Sequence, residues 1–167
     1  MTGFDYLSKR PGDTLRLGEE LGKVAGPGLT VALFGTLGAG KTLLTKGIAK
    51  GLGVKNPAYV TSPTFTIHKV YQGRLELNHF DFYRLGGEFD PGDLGIEEVL
   101  GAGGICVIEW PDNFISYLGE DILSLKFTSA GGTKRIINVS WRGEIAAKAG
   151  RSLVRAIGVI KESCDDL

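Results

Sequence analysis

Apolar residues along this chain switch between two spacings, and the switches mark out its elements. A mixed run at Gly3-Phe4-Asp5-Tyr6-Leu7 reads as an edge strand. Leu17, Leu21 and Val24 then fall on one face of a helix, with Asp13 placed to cap it and Gly26-Pro27-Gly28 to end it. Leu29 to Phe34 is a continuous apolar run rich in strand formers, the mark of a strand buried on both faces. Leu44, Ile48 and Leu52 return to helical spacing until Gly53.

Phe65, Ile67 and Tyr71 share a parity, Gln72-Gly73 signals a turn, and Leu75 and Leu77 restart the alternation, which predicts a β-hairpin. Its second strand runs on to Leu85. His79, Asp81 and Tyr83 face one way and Phe80 and Phe82 the other. Gly86 to Gly95 reads as a loop. Ile96, Val99 and Leu100 mark a short helix stopped by Gly101 and Gly103-Gly104, and Ile105 to Ile108 is a second fully apolar strand. Asn113 to Leu118 is predicted helical. Leu123, Leu125 and Phe127 form a second hairpin with Ile137, Val139 and Trp141 around Gly131-Gly132. Leu153, Ala156, Ile157 and Ile160 define a last helix, with Lys148, Arg151, Arg155 and Lys161 as its solvated face; Asp165-Asp166-Leu167 is expected to fray. Parallel strands around the first buried run, with hairpins on either side of the second, predict a three-layer α/β fold. Its central mixed β-sheet is flanked by helices, in one domain over residues 1–167.

The first buried strand ends in Gly35-Thr36-Leu37-Gly38-Ala39-Gly40-Lys41-Thr42, a phosphate-loop pattern between a strand and a helix. Its glycines let successive N–H groups turn inward on phosphate oxygens at a helix N-terminus, so Gly35, Leu37, Gly38, Ala39 and Gly40 are candidate cofactor-binding positions. Lys41 would supply a point charge and Thr42 a Mg²⁺ ligand. The second buried strand delivers Glu109 at its C-terminal end, where α/β sheets bind ligands; Glu109 would hold Mg²⁺ through water or orient an attacking water. Asp81 is a candidate metal-supporting group or water orienter, and Arg84 a group that approaches the γ-phosphate or pairs with an acid. Thr14 and Arg135 are candidates for nucleotide contact; a plain helix residue and a solvated turn charge are their alternatives. Thr61-Ser62-Pro63-Thr64-Phe65-Thr66 reads equally as a switch beside a γ-phosphate and as a polar start to a strand.

Composition narrows the function. Nineteen basic and nineteen acidic residues cancel, which argues against a free-standing nucleic-acid binder. Apolar content of 43% and charged content of 23% are ordinary for a globular protein. Cys106, within an apolar run, and Cys164 give no disulfide framework. No signal peptide opens the chain and no apolar run approaches about 18 residues, so no membrane role and a cytoplasmic location are expected. The ligand is most simply a Mg²⁺-bound nucleoside triphosphate. Without an Asn-Lys-x-Asp run the base defaults to adenine, giving ATP. No Arg-rich lid of the small-molecule-kinase type is evident, which favours water as acceptor with slow turnover. A small-molecule kinase and a nucleotide-dependent binding module stay open.

The phosphate loop, Ser62-Pro63-Thr64-Phe65-Thr66, His79-Phe80-Asp81-Phe82-Tyr83-Arg84-Leu85 and Ile108-Glu109-Trp110-Pro111 resemble, in order and spacing, the bacterial TsaE (YjeE) family over roughly residues 10 to 140. The resemblance implies an ATPase needed to make N6-threonylcarbamoyladenosine in tRNA, acting with TsaB and TsaD, with tRNA met through the complex. It also implies that Lys41 and Thr42 carry nucleotide and Mg²⁺ and that Glu109 is the second Mg²⁺ acid. Asp81 belongs to the functional strand, Thr64 and Thr66 to a switch-like loop, and Trp110 to the site wall. Thr36 departs from the pattern, which usually has an acid there; it is a free position of the loop, so nucleotide binding is expected to survive. The segment after Trp141 has no counterpart in the resemblance.

Overall fold

The computed structural model describes residues 2–85, 92 and 95–158. Gly86–Leu94 other than Gly92, and Ile160, Lys161, Cys164 and the last residues, for which the sequence predicts a loop, a helix end and a frayed tail, lie outside them. Seven strands form one mixed sheet: β1 (Thr2–Ser8), β2 (Thr30–Phe34), β3 (His68–Tyr71), β4 (Leu77–Asp81), β5 (Ile105–Glu109), β6 (Ile122–Ser129) and β7 (Arg135–Arg142). Their spatial order is β1-β7-β6-β2-β5-β4-β3. β2 runs parallel to both β5 and β6, and β4 is parallel to β5. The β3–β4, β6–β7 and β1–β7 pairs are antiparallel. The strand read as an edge is one, and both hairpins form.

Helices α1 (Pro11–Val24), α2 (Lys41–Gly51) and α4 (Glu144–Ile157) cover one face. They close the larger core cluster over Val31, Leu33, Leu125 and Val139. On the other face, α3 (Ile96–Val99) and a 3₁₀ segment at Asp112–Tyr117 cover Ala32, Phe80 and Ile108 in a second cluster. The three layers therefore hold over the β2–β5–β4 half. Over β6 and β7 that second face carries Ser124, Lys126, Asn138 and Ser140, which line a cleft of about 690 Å³. Cys106 lies in the second cluster, where burial pushes its thiol up to about 12.

Several boundaries differ from expectation. Asp13 is not the cap of α1. Pro11, whose fixed φ suits a first turn, starts the helix, and Arg10 stands at the cap position. The Asp13 carboxylate reaches back to accept the backbone N–H groups of Lys9 at 2.9 Å and Arg10 at 3.2 Å. The strand expected from Phe65 begins at His68, because Ile67 takes a left-handed φ of 66° and Phe65 is exposed. β4 stops at Asp81, where the Tyr83 N–H turns back onto the Asp81 carboxylate at 2.9 Å. Ala156 is exposed; α4 buries Ala146, Ala149, Gly150 and Leu153 instead, with Gly150 against the Trp141 indole.

The helix that follows the phosphate loop is set by close contact. Gly18 and Gly22 of α1 face Gly47 and Gly51 of α2, and added Cβ atoms would fall 2.1–2.3 Å from backbone oxygens of the facing helix. Arg74, in the β3–β4 turn, donates to the Gly22 and Ala25 carbonyls at 2.8 and 2.6 Å. It thereby satisfies carbonyls that α1 leaves without partners at its C-terminus. Alanine in a helix interior gains up to about 1 kcal/mol over glycine. Forcing a methyl into close packing costs about 1–3 kcal/mol, and here the obstacle is backbone. Gly47→Ala is therefore expected to lower the urea midpoint, by about 1–2 kcal/mol in stability; a raised midpoint would show that the helices can part freely.

Candidate functional site

The loop from Gly35 to Gly40 leaves the C-terminal end of β2, where the chain departs between β5 and β6. That is a switch point of an open α/β sheet, where ligand crevices form. Gly35, Gly38 and Gly40 take φ values of 145°, 74° and 109°, and these turns let the backbone curl above the first turn of α2. Leu37 is exposed at the loop tip, and Ala39 and Gly40 lead into the helix. The loop floors a cleft of about 290 Å³ whose walls include Lys41, Thr42, Ser62, Asp81, Glu109 and Trp110. The larger cleft on the open sheet face shares Leu37 and Trp110 with it, but the convergent charged groups belong to the smaller one.

Thr42 and Glu109 are 67 positions apart and meet directly. The Thr42 hydroxyl donates to Glu109 Oε1 at 2.9 Å and lies 3.1 Å from Oε2. Glu109 ends β5 in register with Asp81, the last residue of β4, and both carboxylates are 3% exposed. His79, two residues before Asp81, places Nε2 at 2.9 Å from Glu109 Oε1. Asp81 Oδ2 accepts the hydroxyls of Ser62 and of Thr64, the latter at 3.0 Å, and Ser62 and Thr64 are themselves 2.7 Å apart. The Ser62–Thr66 stretch is thus folded onto the site by side-chain bonds and ends at Ile67, a β-branched residue in a left-handed conformation. Such backbone outliers gather at ligand and switch sites.

Lys41 is 4% exposed. Its ammonium donates to the Gly35 and Thr36 carbonyls at 2.6 and 3.0 Å and lies 3.7 Å from the centre of the Trp110 ring. Burial pulls its pKa below the ordinary lysine value, while the charges of Glu109, Asp81 and Asp112 oppose that shift. Trp110 itself has φ 59°, which turns the chain straight after Glu109 and brings the indole over the loop. Tyr83 packs against the indole, with ring centroids 4.9 Å apart. Trp110 is therefore a wall of the cleft.

Thr14 and Arg135 stand behind the loop. The Thr14 hydroxyl is 2.8 Å from Ser8 Oγ, and its methyl carbon is 3.8 Å from where a Cβ on Gly40 would lie. Arg135 Nε donates to the Ala39 carbonyl at 3.3 Å. Neither lines the cleft. Arg84 does not approach the loop; its guanidinium lies 4.1 Å from the centre of the Phe65 ring. Thr66 is exposed, outside the cleft. Ser62, a member of the switch-like segment, and His79 and Tyr83, members of the polar stripe on β4, join the site although none was given a role of its own. For His79 the available signal was its parity with Asp81 along β4.

The residues fit a nucleotide with its metal. Turned glycines above a helix N-terminus suit phosphate oxygens. Mg²⁺ takes one or two protein oxygens alongside substrate phosphates, and Thr42 and Glu109 could supply these. Among the described residues no group of three His, Cys, Asp or Glu side chains could hold a metal by itself.

The mixed sheet, the glycine loop and the carboxylate at the neighbouring strand end define a phosphate-loop protein of the α/β class. The family model for "Threonylcarbamoyl adenosine biosynthesis protein TsaE" matches residues 8–137. This chain belongs to the TsaE family. It is 40% identical over 134 residues to the tRNA threonylcarbamoyladenosine biosynthesis protein TsaE of Treponema pallidum, spanning 80% of this chain and 98% of that protein. It is 40% identical over 138 residues to its Bacillus subtilis namesake, spanning 82% and 85%. The crystal structure of Bacillus subtilis YdiB is similar with a TM-score of 0.78 at 30% identity, covering 93% of this chain and 97% of that one.

Replacing Asp81 with alanine removes the acceptor that gathers Ser62 and Thr64. Amide hydrogen exchange over residues 62–67 is expected to quicken by at least about tenfold, with β2 and β5 unchanged. Unchanged exchange in that segment would mean that its path is fixed by backbone alone.

Proposed function

We propose that this chain is a cytoplasmic, Mg²⁺-dependent ATPase of tRNA threonylcarbamoyladenosine biosynthesis. It acts with TsaB and TsaD and meets tRNA through that complex. The observation that carries the reading is the direct bond between Thr42 and Glu109 at the mouth of a glycine loop. Family membership supports the pathway. No helix among the described residues is long and apolar enough to cross a membrane.

In this reading the N–H groups of Gly35, Leu37, Gly38, Ala39 and Gly40 cradle the phosphates. Lys41 exchanges the carbonyls of Gly35 and Thr36 for phosphate oxygens, and its departure from the carbonyls costs little because charged oxygens replace neutral ones. Thr42 and Glu109 hold the metal, which when bound neutralises charge on the phosphoryl group. Asp81 orients the attacking water. Thr64 lies at the γ-phosphate end, Trp110 walls the site, and Thr14 and Arg135 brace the loop toward the base. The Asp81 carboxylate is engaged by Ser62, Thr64 and the Tyr83 N–H. Three donors leave it little room for a water, which fits slow turnover by the chain alone.

ATP hydrolysis by the isolated chain and by the chain with TsaB and TsaD tests this. Turnover is expected to rise in the complex, to vanish on chelation of Mg²⁺, and to fall at least about 100-fold in Glu109→Ala. A phosphorylated metabolite in place of free phosphate would identify a kinase. Partner capture that needs ATP and survives Glu109→Ala undiminished, without turnover in wild type, would identify a binding module.

A further inference from the structure

His79 is fully buried, and its two ring nitrogens stand in opposite situations. Nε2 lies 2.9 Å from Glu109 Oε1. Nδ1 has no hydrogen-bond partner, the one buried side-chain N or O atom among the described residues left so. These facts select a proton position. A proton on Nδ1 would orphan a buried donor and turn a nitrogen lone pair on Nε2 toward a carboxylate oxygen. A proton on Nε2 gives a donated bond to Glu109 and leaves only an acceptor without a partner, the less costly of the two tautomers.

Leu77, two residues before it on the same face of β4, is fully buried, as is Val107 of β5. His79 pairs in register with Val107 of β5, one alternation below the Asp81–Glu109 pair, so it shares their face of the sheet. Glu109 Oε1 consequently receives donors from two directions: Thr42 at the start of α2 and His79 from the middle of β4. Two donors on one oxygen fix the rotation of the carboxylate and leave Oε2, with its longer 3.1 Å contact to Thr42, as the oxygen with room for a further ligand.

We propose that His79 is a positioning residue: its imidazole, donating from Nε2, holds the Glu109 carboxylate in the orientation that a magnesium ion shared with Thr42 would need. The proposal rests on the phosphate-loop ATPase reading and adds to it a residue one strand away. His79 touches neither nucleotide nor metal. Partners that orient a ligand in this way are worth about 10- to 100-fold in metal affinity.

Two variants separate orientation from packing. His79→Gln keeps an N–H donor at similar reach; His79→Leu keeps bulk and loses the donor. ADP affinity is measured by calorimetry with Mg²⁺ and with EDTA. His79→Leu is expected to lose about 10- to 100-fold of the Mg²⁺-dependent gain in ADP affinity, with the EDTA value unchanged, and His79→Gln to stay within about threefold of wild type. Equal losses in both variants, a loss that persists in EDTA, or a wild-type Mg²⁺ gain in His79→Leu would each overturn the proposal. Imidazole ¹⁵N spectra of the unliganded wild-type chain give a second readout that needs no variant to fold. A proton on Nε2 supports the assignment, and an Nε2 without one overturns it. If wild type shows no Mg²⁺ gain at all, the ATPase reading fails instead, and the spectrum still decides the position of the proton.

Discussion

The contact between Thr42 and Glu109 is the constraint on which the remainder of the molecule bears. A hydroxyl on the first turn of α2 and a carboxylate at the end of β5 must arrive within 2.9 Å of each other. That requires β2 and β5 to be adjacent and parallel, as they are. It requires α2 to leave its loop at one height and angle above the sheet, which the backbone-to-backbone approach of α1 and α2 through their glycines imposes. It requires Glu109 to be buried and held, which His79 and the turn at Trp110 provide. Hydrophobic packing of the two clusters sets the frame; a few polar contacts set the last ångström.

Two features of the site share one logic. The ammonium of Lys41 is occupied by loop carbonyls and an indole face, and the carboxylate of Asp81 is occupied by hydroxyls from the Ser62–Thr64 segment. Each charged group is buried and paired with something a ligand can replace. Leaving either one bare would carry the cost of an unpaired buried charge. Under the proposed reading, phosphate oxygens take the place of the carbonyls on Lys41, and a water joins the donors around Asp81.

How much of this was legible in the sequence depended on whether the cause was local. β2, the glycine loop, α2 and β5 with its terminal acid were readable, because continuous apolar runs and a fixed motif need no knowledge of distant residues. Both hairpins were readable from alternation. The start of β3 was not: the segment from Ser62 to Ile67 follows Asp81, 19 positions from Ser62, and not its own parity. His79 looked like one member of a polar stripe until its partner on the next strand was known. Arg84, read from its charge as approaching a phosphate or pairing with an acid, lies over the exposed ring of Phe65. The start of α1 was misread by position, since Asp13 and Pro11 are both first-turn residues and only the backbone shows which comes at the boundary.

The central claim is that Thr42 and Glu109 serve one metal ion together. A double-mutant cycle tests it most directly, with Thr42→Val, Glu109→Gln and their combination compared for the Mg²⁺-dependent part of ADP affinity. Joint action predicts that the double variant loses little more than either single one, a coupling of at least about 1 kcal/mol. Losses that add to within about 0.5 kcal/mol would mean that the two side chains act separately, and would contradict the account.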